Sequence, residues 1–341
     1  GRARGAPGGE RTGERPLGRA AMLAALAAPV LVLLMAAPGA SLGPPRLPRA
    51  ALVSLLRAEL ASPGVTLMPC CYDGLTARLV EEAGFNLTFA TGFGMSAASG
   101  VPDTQLLSTA ELASQASVVT SALRRVPCIG DGDTGGGHPL NVARTVDAYI
   151  RAGLAGIMLE DQVMPKRCGH VAPRAVVPRD QAVARIRAAV DAREAAGEDM
   201  LILARTDARG TDGLDEAVER CLAFLDAGAD MTFLEAPRSA AEMEEYCRRV
   251  PGPKLANMLE GGATPILSPA ELGDMGFAVA AYPLSVLSAA VRASRAVLSR
   301  LRDGQAVDDL ILPFADLKSA VGFDEYLAEE ARYAGDSPPP R

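Results

Sequence analysis

The sequence predicts an α/β fold, a (β/α)8 TIM-type barrel, and three observations carry that prediction. Eight short apolar runs alternate with eight amphipathic stretches of helical period from residue 65 onward. The eight units take roughly 240 residues, the usual length of such a barrel. Charged, amide or hydroxyl groups directly follow six of the eight apolar runs, at the carboxyl ends where barrel enzymes place their chemistry. A doubly wound open sheet is the competing architecture.

The expected strands are 65–68, 87–91, 126–130, 156–160, 201–205, 231–235, 255–258 and 278–282. The expected helices lie near 73–83, 109–124, 141–152, 179–196, 213–227, 239–249, 269–274 and 285–302. Ser108 before Thr109-Ala110-Glu111, Pro178, Ser239 before Glu242, and Ser268-Pro269 are helix starts. Gly84, Gly153 and Gly228 stop three helices just before the next strand. Strand and helix in strict alternation imply a parallel sheet sheathed by helices.

The bulk composition narrows the function. The chain has 341 residues, 49% of them hydrophobic, with no tryptophan, so Ala, Val, Leu, Ile and Met must build the core. A net charge of −7 argues against a nucleic-acid partner. Six cysteines (70, 71, 128, 168, 221 and 247) show no zinc spacing, which fits a reducing compartment. Residues 1–50 differ from the rest: seven arginines and two glutamates, no charge between Arg19 and Arg46, and an apolar block from Ala21 to Ala37. That grammar reads as a targeting or disordered leader ahead of a single catalytic domain over 51–341. The apolar block is marginal as a membrane span. An organelle, with the chloroplast preferred over the cytoplasm or mitochondrion, is the expected destination.

One stretch concentrates reactive groups: Glu160-Asp161-Gln162, then Lys166-Arg167-Cys168-Gly169-His170. Glu160 ends an apolar run. Roughly sixteen residues without apolar periodicity then lead to Pro178, the form of a lid loop. Cys168 among cations has surroundings that favour thiolate chemistry, and Lys166, Arg167 and His170 suit a small polyanion. Asp131-Gly132-Asp133, one strand earlier, offers two carboxylates to one hard cation, with Glu160 completing a set suited to Mg2+, or to Mn2+. Arg205 supplies a rigid fork for a substrate carboxylate. His138 reads equally well as a site residue or a helix start before Pro139. The other cysteines and the scattered methionines read as core.

With those motifs in view, the chain resembles the isocitrate lyase/phosphoenolpyruvate mutase superfamily over residues 62–335. Cys71-Tyr72-Asp73-Gly74, Leu140-Asn141-Val142-Ala143-Arg144-Thr145-Val146, Ala204-Arg205-Thr206-Asp207-Ala208, Phe233-Leu234-Glu235-Ala236-Pro237 and Ala256-Asn257-Met258-Leu259-Glu260-Gly261-Gly262 carry the likeness. It is most similar to 2-alkylmalate lyase, oxaloacetate hydrolase and 2-methylisocitrate lyase types. The resemblance implies that Asp131, Asp133 and Glu160 hold Mg2+ and that Asp103 joins them. It implies that Thr91, Gly92 and Phe93 wrap the oxoacid end of a small di- or tricarboxylate, with Arg205, Glu235 and Asn257 as further substrate contacts. Cys168 is then the general acid of the lid, beside Lys166, Arg167 and His170 in the catalytic set. A homotetramer whose subunits exchange a C-terminal helix is also implied.

The implied reaction is a retro-aldol cleavage of a 2-hydroxy or 2-oxo acid, whose carbanion Cys168 protonates. Four positions depart from the family's pattern. Phe89 and Phe93 stand where some members carry tyrosines, which leaves the base unassigned. Thr91 replaces a commoner serine, and Ser288 replaces an arginine of tricarboxylate-cleaving relatives, which favours a smaller diacid. The rival is carbon–phosphorus chemistry, phosphonopyruvate formation or carboxyphosphonate rearrangement; mutase-type lids carry asparagine where Cys168 stands. A non-catalytic binding barrel is the reading from another class, and it predicts loss of Asp131, Asp133 or Cys168.

Overall fold

The computed structural model describes Gly1 and residues 45–168 and 174–333. The expected leader therefore lies mostly outside the described residues, as do Gly169 and His170. Eight parallel strands form one sheet: β1 Thr66–Cys71, β2 Thr88–Ala90, β3 Cys128–Asp131, β4 Gly156–Glu160, β5 Leu201–Thr206, β6 Met231–Leu234, β7 Leu255–Asn257 and β8 Val279–Tyr282. Neighbours pair in the order β6-β5-β4-β3-β2-β1-β8-β7. A single parallel bridge, Thr232 to Lys254, links β6 to β7 and brings the ends together. This is the expected (β/α)8 barrel, with each strand within about three residues of its expected limits.

The strands form here because they are apolar on both faces. Every residue of β4 and β5 is buried, as a parallel sheet sheathed by helices requires. Outward side chains such as Ile157, Ile202 and Ala204 pack on Val142, Val146, Tyr149 and Ile186 from the surrounding helices. Inward side chains alternate with them, and this two-residue period brings Met68 with Cys70, Phe89 with Thr91, Phe233 with Glu235, and Leu255 with Asn257 to one cavity.

The helices are α1 Arg49–Ala61, α2 Gly74–Glu82, α3 Gly92–Ala98, α4 Thr109–Ala122, α5 Pro139–Arg151, α6 Arg179–Ala195, α7 Ala208–Thr211, α8 Leu214–Asp226, α9 Ala240–Arg249, α10 Pro269–Met275, α11 Ser285–Arg302, α12 Phe314–Ala320 and α13 Phe323–Tyr333. Local chemistry sets their starts. Asp73, Ser108 and Ser268 each close a capping box, with Thr76, Glu111 and Glu271 respectively. Gly84, Gly153 and Gly228 stand at φ between 80° and 99°, the left-handed turn that ends a helix.

Helix α1 was not expected, and Leu47 before it is already buried. It packs Leu52, Val53 and Leu56 inward, and Arg57 pairs with Asp199 and Asp230, which precede β5 and β6. The charges at the amino ends of these strands are thus used in holding α1. At the other terminus, Arg78 of α2 binds Glu325 and the Ala320 carbonyl, which docks α12 and α13. Among the described residues, no helix is long and apolar enough to cross a membrane.

Candidate active site

The cavity opens at the carboxyl ends of the strands and measures about 80 Å3. Thr91, Phe93, Asp103, Asp131, Lys166, Cys168, Arg205, Glu235 and Asn257 line it, nine of the fourteen residues expected of the site. Asp133 and Glu160 are buried just behind the wall. Gly92 contributes its backbone, and Arg167 faces an adjoining cavity with Pro102, Thr104 and Pro165. His170 lies outside the described residues.

The charges divide into two groups, each centred on a cation. In the first, Lys166 Nζ lies 2.6 Å from Asp103 Oδ1 and 2.8 Å from Asp133 Oδ1. Asp131 is oriented beside them: its Oδ2 accepts the Gly92 N–H at 3.1 Å and its Oδ1 accepts the Asp133 N–H at 3.1 Å. Glycine is needed at 92, because a Cβ there would stand 2.7 Å from Asp131 Oδ2. Behind the strand, Tyr149 donates to the Asp131 carbonyl at 2.5 Å.

In the second group, Arg205 Nε lies 2.9 Å from Asp207 Oδ2 and 3.3 Å from Glu160 Oε2, and Nη2 lies 3.0 Å from Glu235 Oε2. The guanidinium also sits over the Phe233 ring, 5.2 Å from its centroid. Among the described residues the ion pairs and hydrogen bonds of Arg205 engage Nε and Nη2, so the expected fork is largely taken up by protein carboxylates. Asp207 is shared, because Arg174 Nη1 also reaches its Oδ1 at 2.7 Å. Asp161 supports it from below, accepting from Thr206 Oγ1, the Asp207 N–H and Arg220 Nη1.

The electrostatics are unbalanced toward the negative. Asp103, Asp131, Asp133, Glu160, Asp207 and Glu235 face three cations, Lys166, Arg174 and Arg205. Burial pushes the Asp133 carboxyl up to about 7 against the pull of Lys166, with Asp131 and Asp103 adding to the rise. Burial also drives Glu160 well above the usual carboxylate range, and Asp161 to about 6. Burial opposes the charge on Lys166, but Asp133, Asp131, Glu160 and Asp103 outweigh it and hold the ammonium form. Glu160 Oε1 is buried and accepts no hydrogen bond from the described residues. Such an oxygen is costly unless a cation or proton meets it.

Among the described residues, no three carboxylate, imidazole or thiol groups converge closely enough to chelate an ion by themselves. Mg2+ does not require that, since it keeps several waters and takes one or two carboxylates directly. The surplus of hard oxygen donors and the unsatisfied Glu160 oxygen fit such an ion.

The segment after β4 is held at both ends. Gln162 pairs with Val176 in an antiparallel bridge, and Val177 N–H donates to the Asp161 carbonyl. The Gln162 side chain grips the Arg167 backbone, donating to its carbonyl at 2.9 Å and accepting its N–H at 3.0 Å. Arg185 from α6 donates to the carbonyls of Gly137, Glu160 and Gln162. Cys168, half-buried, follows directly. Sequence reasoning missed Asp207, Arg174, Gln105, Gln162, Arg185, Arg220 and Tyr149, and gave no role to the apolar lining of Met158, Phe233, Leu255, Leu259 and Leu284. His138 proves to be a helix cap, accepting the Leu140 N–H on Nδ1.

Comparison with known proteins bears on this site. A family model described as phosphoenolpyruvate phosphomutase matches residues 56–302. The chain is 41% identical to carboxyvinyl-carboxyphosphonate phosphorylmutase, chloroplastic, of Arabidopsis thaliana, over 80% of this chain and 81% of that one. It is 40% identical to 2,3-dimethylmalate lyase of Eubacterium barkeri, over 82% and 97%. A solved oxaloacetate acetylhydrolase in complex with 3,3-difluorooxalacetate matches with a TM-score of 0.81 at 36% identity, over 85% and 99%. A phosphonopyruvate hydrolase solved with oxalate and Mg2+ matches with a TM-score of 0.74 at 30% identity, over 84% and 99%. With that fold, those strand-end residues and these matches, the chain belongs to the phosphoenolpyruvate mutase/isocitrate lyase superfamily.

Proposed function

We propose that the protein is a Mg2+-dependent lyase that cleaves a carbon–carbon bond of a small 2-hydroxy or 2-oxo dicarboxylate, with Cys168 protonating the carbanion. A 2-alkylmalate, 2-methylisocitrate or oxaloacetate is the substrate class. The observation that carries this reading is that Cys168, Lys166 and Arg205 line one cavity with Asp131. A proton donor there faces the cations that stabilise developing negative charge. Asp131, Asp133 and Glu160 would hold Mg2+, with Mn2+ as the alternative. When bound, it would supply positive charge that lowers the cost of a developing alkoxide.

The chain's own groups supply the rest. Arg205 binds a substrate carboxylate, and Asp207 and Glu235 fix the guanidinium in place. The hydroxyl of a 2-hydroxy acid, or of the hydrate that a 2-oxo acid forms with water, gives its proton to solvent water and becomes the new carbonyl as the C–C bond breaks, and the electron pair settles on the carbon beside the second carboxylate. The Cys168 thiol gives that carbon its proton and is reprotonated from solvent. Phe89, Phe93, Leu259 and Leu284 line the cavity, an apolar wall that would suit an alkyl-bearing acid.

Incubation with Mg2+ and a panel of oxaloacetate, 2-alkylmalates, 2-methylisocitrate and phosphonopyruvate, followed by product mass spectrometry, tests the reading. Cleavage of a carbon acid is expected. Turnover of phosphonopyruvate alone would reverse it in favour of carbon–phosphorus chemistry, of the kind named for the phosphonopyruvate hydrolase among the similar structures.

We further infer a homotetramer that exchanges its C-terminal helix. Helix α11 buries none of its residues within the chain, and Leu298 and Phe314 are 64% and 74% exposed. Sedimentation at a mass near 35.3 kDa would contradict it. We also propose that residues 1–50 are a cleaved organelle presequence, chloroplast by preference. The support is their arginine-rich, acid-poor composition and the relative named chloroplastic. Amino-terminal sequencing of the mature protein decides this.

A further inference from the structure

We propose that Gln105 is a positioning residue that fixes the Lys166 backbone, and with it Cys168, against the acidic cluster; this rests on the reading of Lys166–Cys168 as catalytic. Gln105 stands at φ 55°, one of three non-glycine residues with positive φ among the described residues. A side chain in that left-handed region is strained and persists where its surroundings over-determine it. Here the surroundings are two hydrogen bonds. Gln105 Oε1 accepts the Lys166 N–H at 2.6 Å, and Gln105 Nε2 donates to Thr134 Oγ1 at 2.8 Å. Thr134 is fully buried.

The two contacts join the same three segments that the Lys166 ammonium joins. Asp103 and Gln105 lie on the loop after α3, Asp133 and Thr134 follow β3, and Lys166 follows β4. The ammonium ties them at Asp103 and Asp133, and the Gln105 amide ties them again at the Lys166 backbone and Thr134. A lysine has a long, flexible stem, so its Nζ holds one position only if its backbone is fixed. Gln162 grips Arg167 next in line. Two amide side chains therefore pin consecutive residues immediately before Cys168. Gln105 itself does not line the cavity.

A merely structural Gln105 makes a different prediction from a positioning one. Glycine is the residue best suited to φ 55°, so Gln105→Gly removes backbone strain together with the tether. Gln105→Met keeps the strain and the length but loses both hydrogen bonds. Gln105→Glu can keep both, with Lys166 N–H donating to one carboxylate oxygen and the Thr134 hydroxyl donating to the other. The full chain and the three variants are compared by thermal melting, by hydrogen–deuterium exchange of the peptide holding Lys166, and by kcat and KM.

For the Gly and Met variants, exchange at the Lys166 amide about tenfold faster and kcat about tenfold lower are expected, the size of one lost hydrogen bond. KM should barely move in these two variants, the Gly variant should melt no lower than wild type, and the Glu variant, which adds a charge to the cluster, should keep wild-type exchange at the Lys166 amide. Wild-type exchange and kcat in the Gly and Met variants would overturn the proposal. So would losses that simply track a fall in melting temperature. If wild type cleaves no carbon acid, the lyase reading fails, and exchange with melting still decides whether Gln105 pins Lys166.

Discussion

Asp207→Asn tests the ion-pair network that holds Arg205. Asp207 is fully buried and accepts both Arg205 Nε and Nη2, at 2.9 and 3.1 Å, while Arg174 shares its Oδ1 at 2.7 Å. Removing one partner of a buried pair costs about 3–5 kcal/mol, because the charge left behind is uncompensated. Two features lower the figure here. Glu160 and Glu235 still face Arg205, and Arg174 is partly exposed and can turn to water. The expected loss is therefore at the lower end, about 3 kcal/mol. For a chain of this size that is a fall of about 4 °C in melting temperature. Urea denaturation gives the free energy, and Arg174→Met with the double variant completes a cycle whose coupling should be about 1 kcal/mol or more. A loss within about 0.5 kcal/mol of zero, the range of an ordinary surface change, would refute the reasoning.

Other perturbations separate the cation groups from the proposed proton donor. Cys168→Ser is expected to lower kcat by about 10^2- to 10^4-fold with little change in KM, read by steady-state kinetics. Gly92→Ala puts a Cβ 2.7 Å from Asp131 Oδ2, so calorimetry should find weakened Mg2+ binding while circular dichroism finds the fold intact. Asp133 holds a proton up to about pH 7 in the fold, whereas its ordinary value is 3.8. The native state then binds more protons than the unfolded chain across that window, so metal-free stability should fall as pH rises through it. Mg2+ competes with that proton and should raise the melting temperature more at about pH 8 than at about pH 5; an equal rise at both would count against Asp133 as a ligand.

The barrel was legible because its signals are local. Parallel strands buried on both faces read as short continuous apolar runs, and Ser108, Ser239, Ser268 and the glycines Gly84, Gly153 and Gly228 mark helix ends within a few residues. Helix α1 straddles the change of composition at residue 50, which blurs its start, although Leu52, Val53 and Leu56 follow at helical spacing. Helix α3 was hidden by Gly92 and Gly94.

At the site, acids and cations at strand ends could be seen, whereas their supports could not. Lys166 meets Asp103 across 63 positions, and Arg174 meets Asp207 across 33, and no local pattern encodes such pairs. Asp207 is the exception that sequence could have found. It stands two residues beyond Arg205, hence on the same side of an extended chain, where opposite charges pair. Gln105 carries no such signal, since its role comes from a backbone angle and two distant partners.

The central claim is that Cys168 delivers a proton to a carbanion released by C–C cleavage. Turnover of the preferred carbon acid with Mg2+ in D2O tests it most directly. The account predicts one solvent deuterium on the former carbanion carbon of the product, and a step slowed at least about 100-fold in Cys168→Ser. Product without deuterium at that carbon, or full turnover by Cys168→Ser, would contradict it.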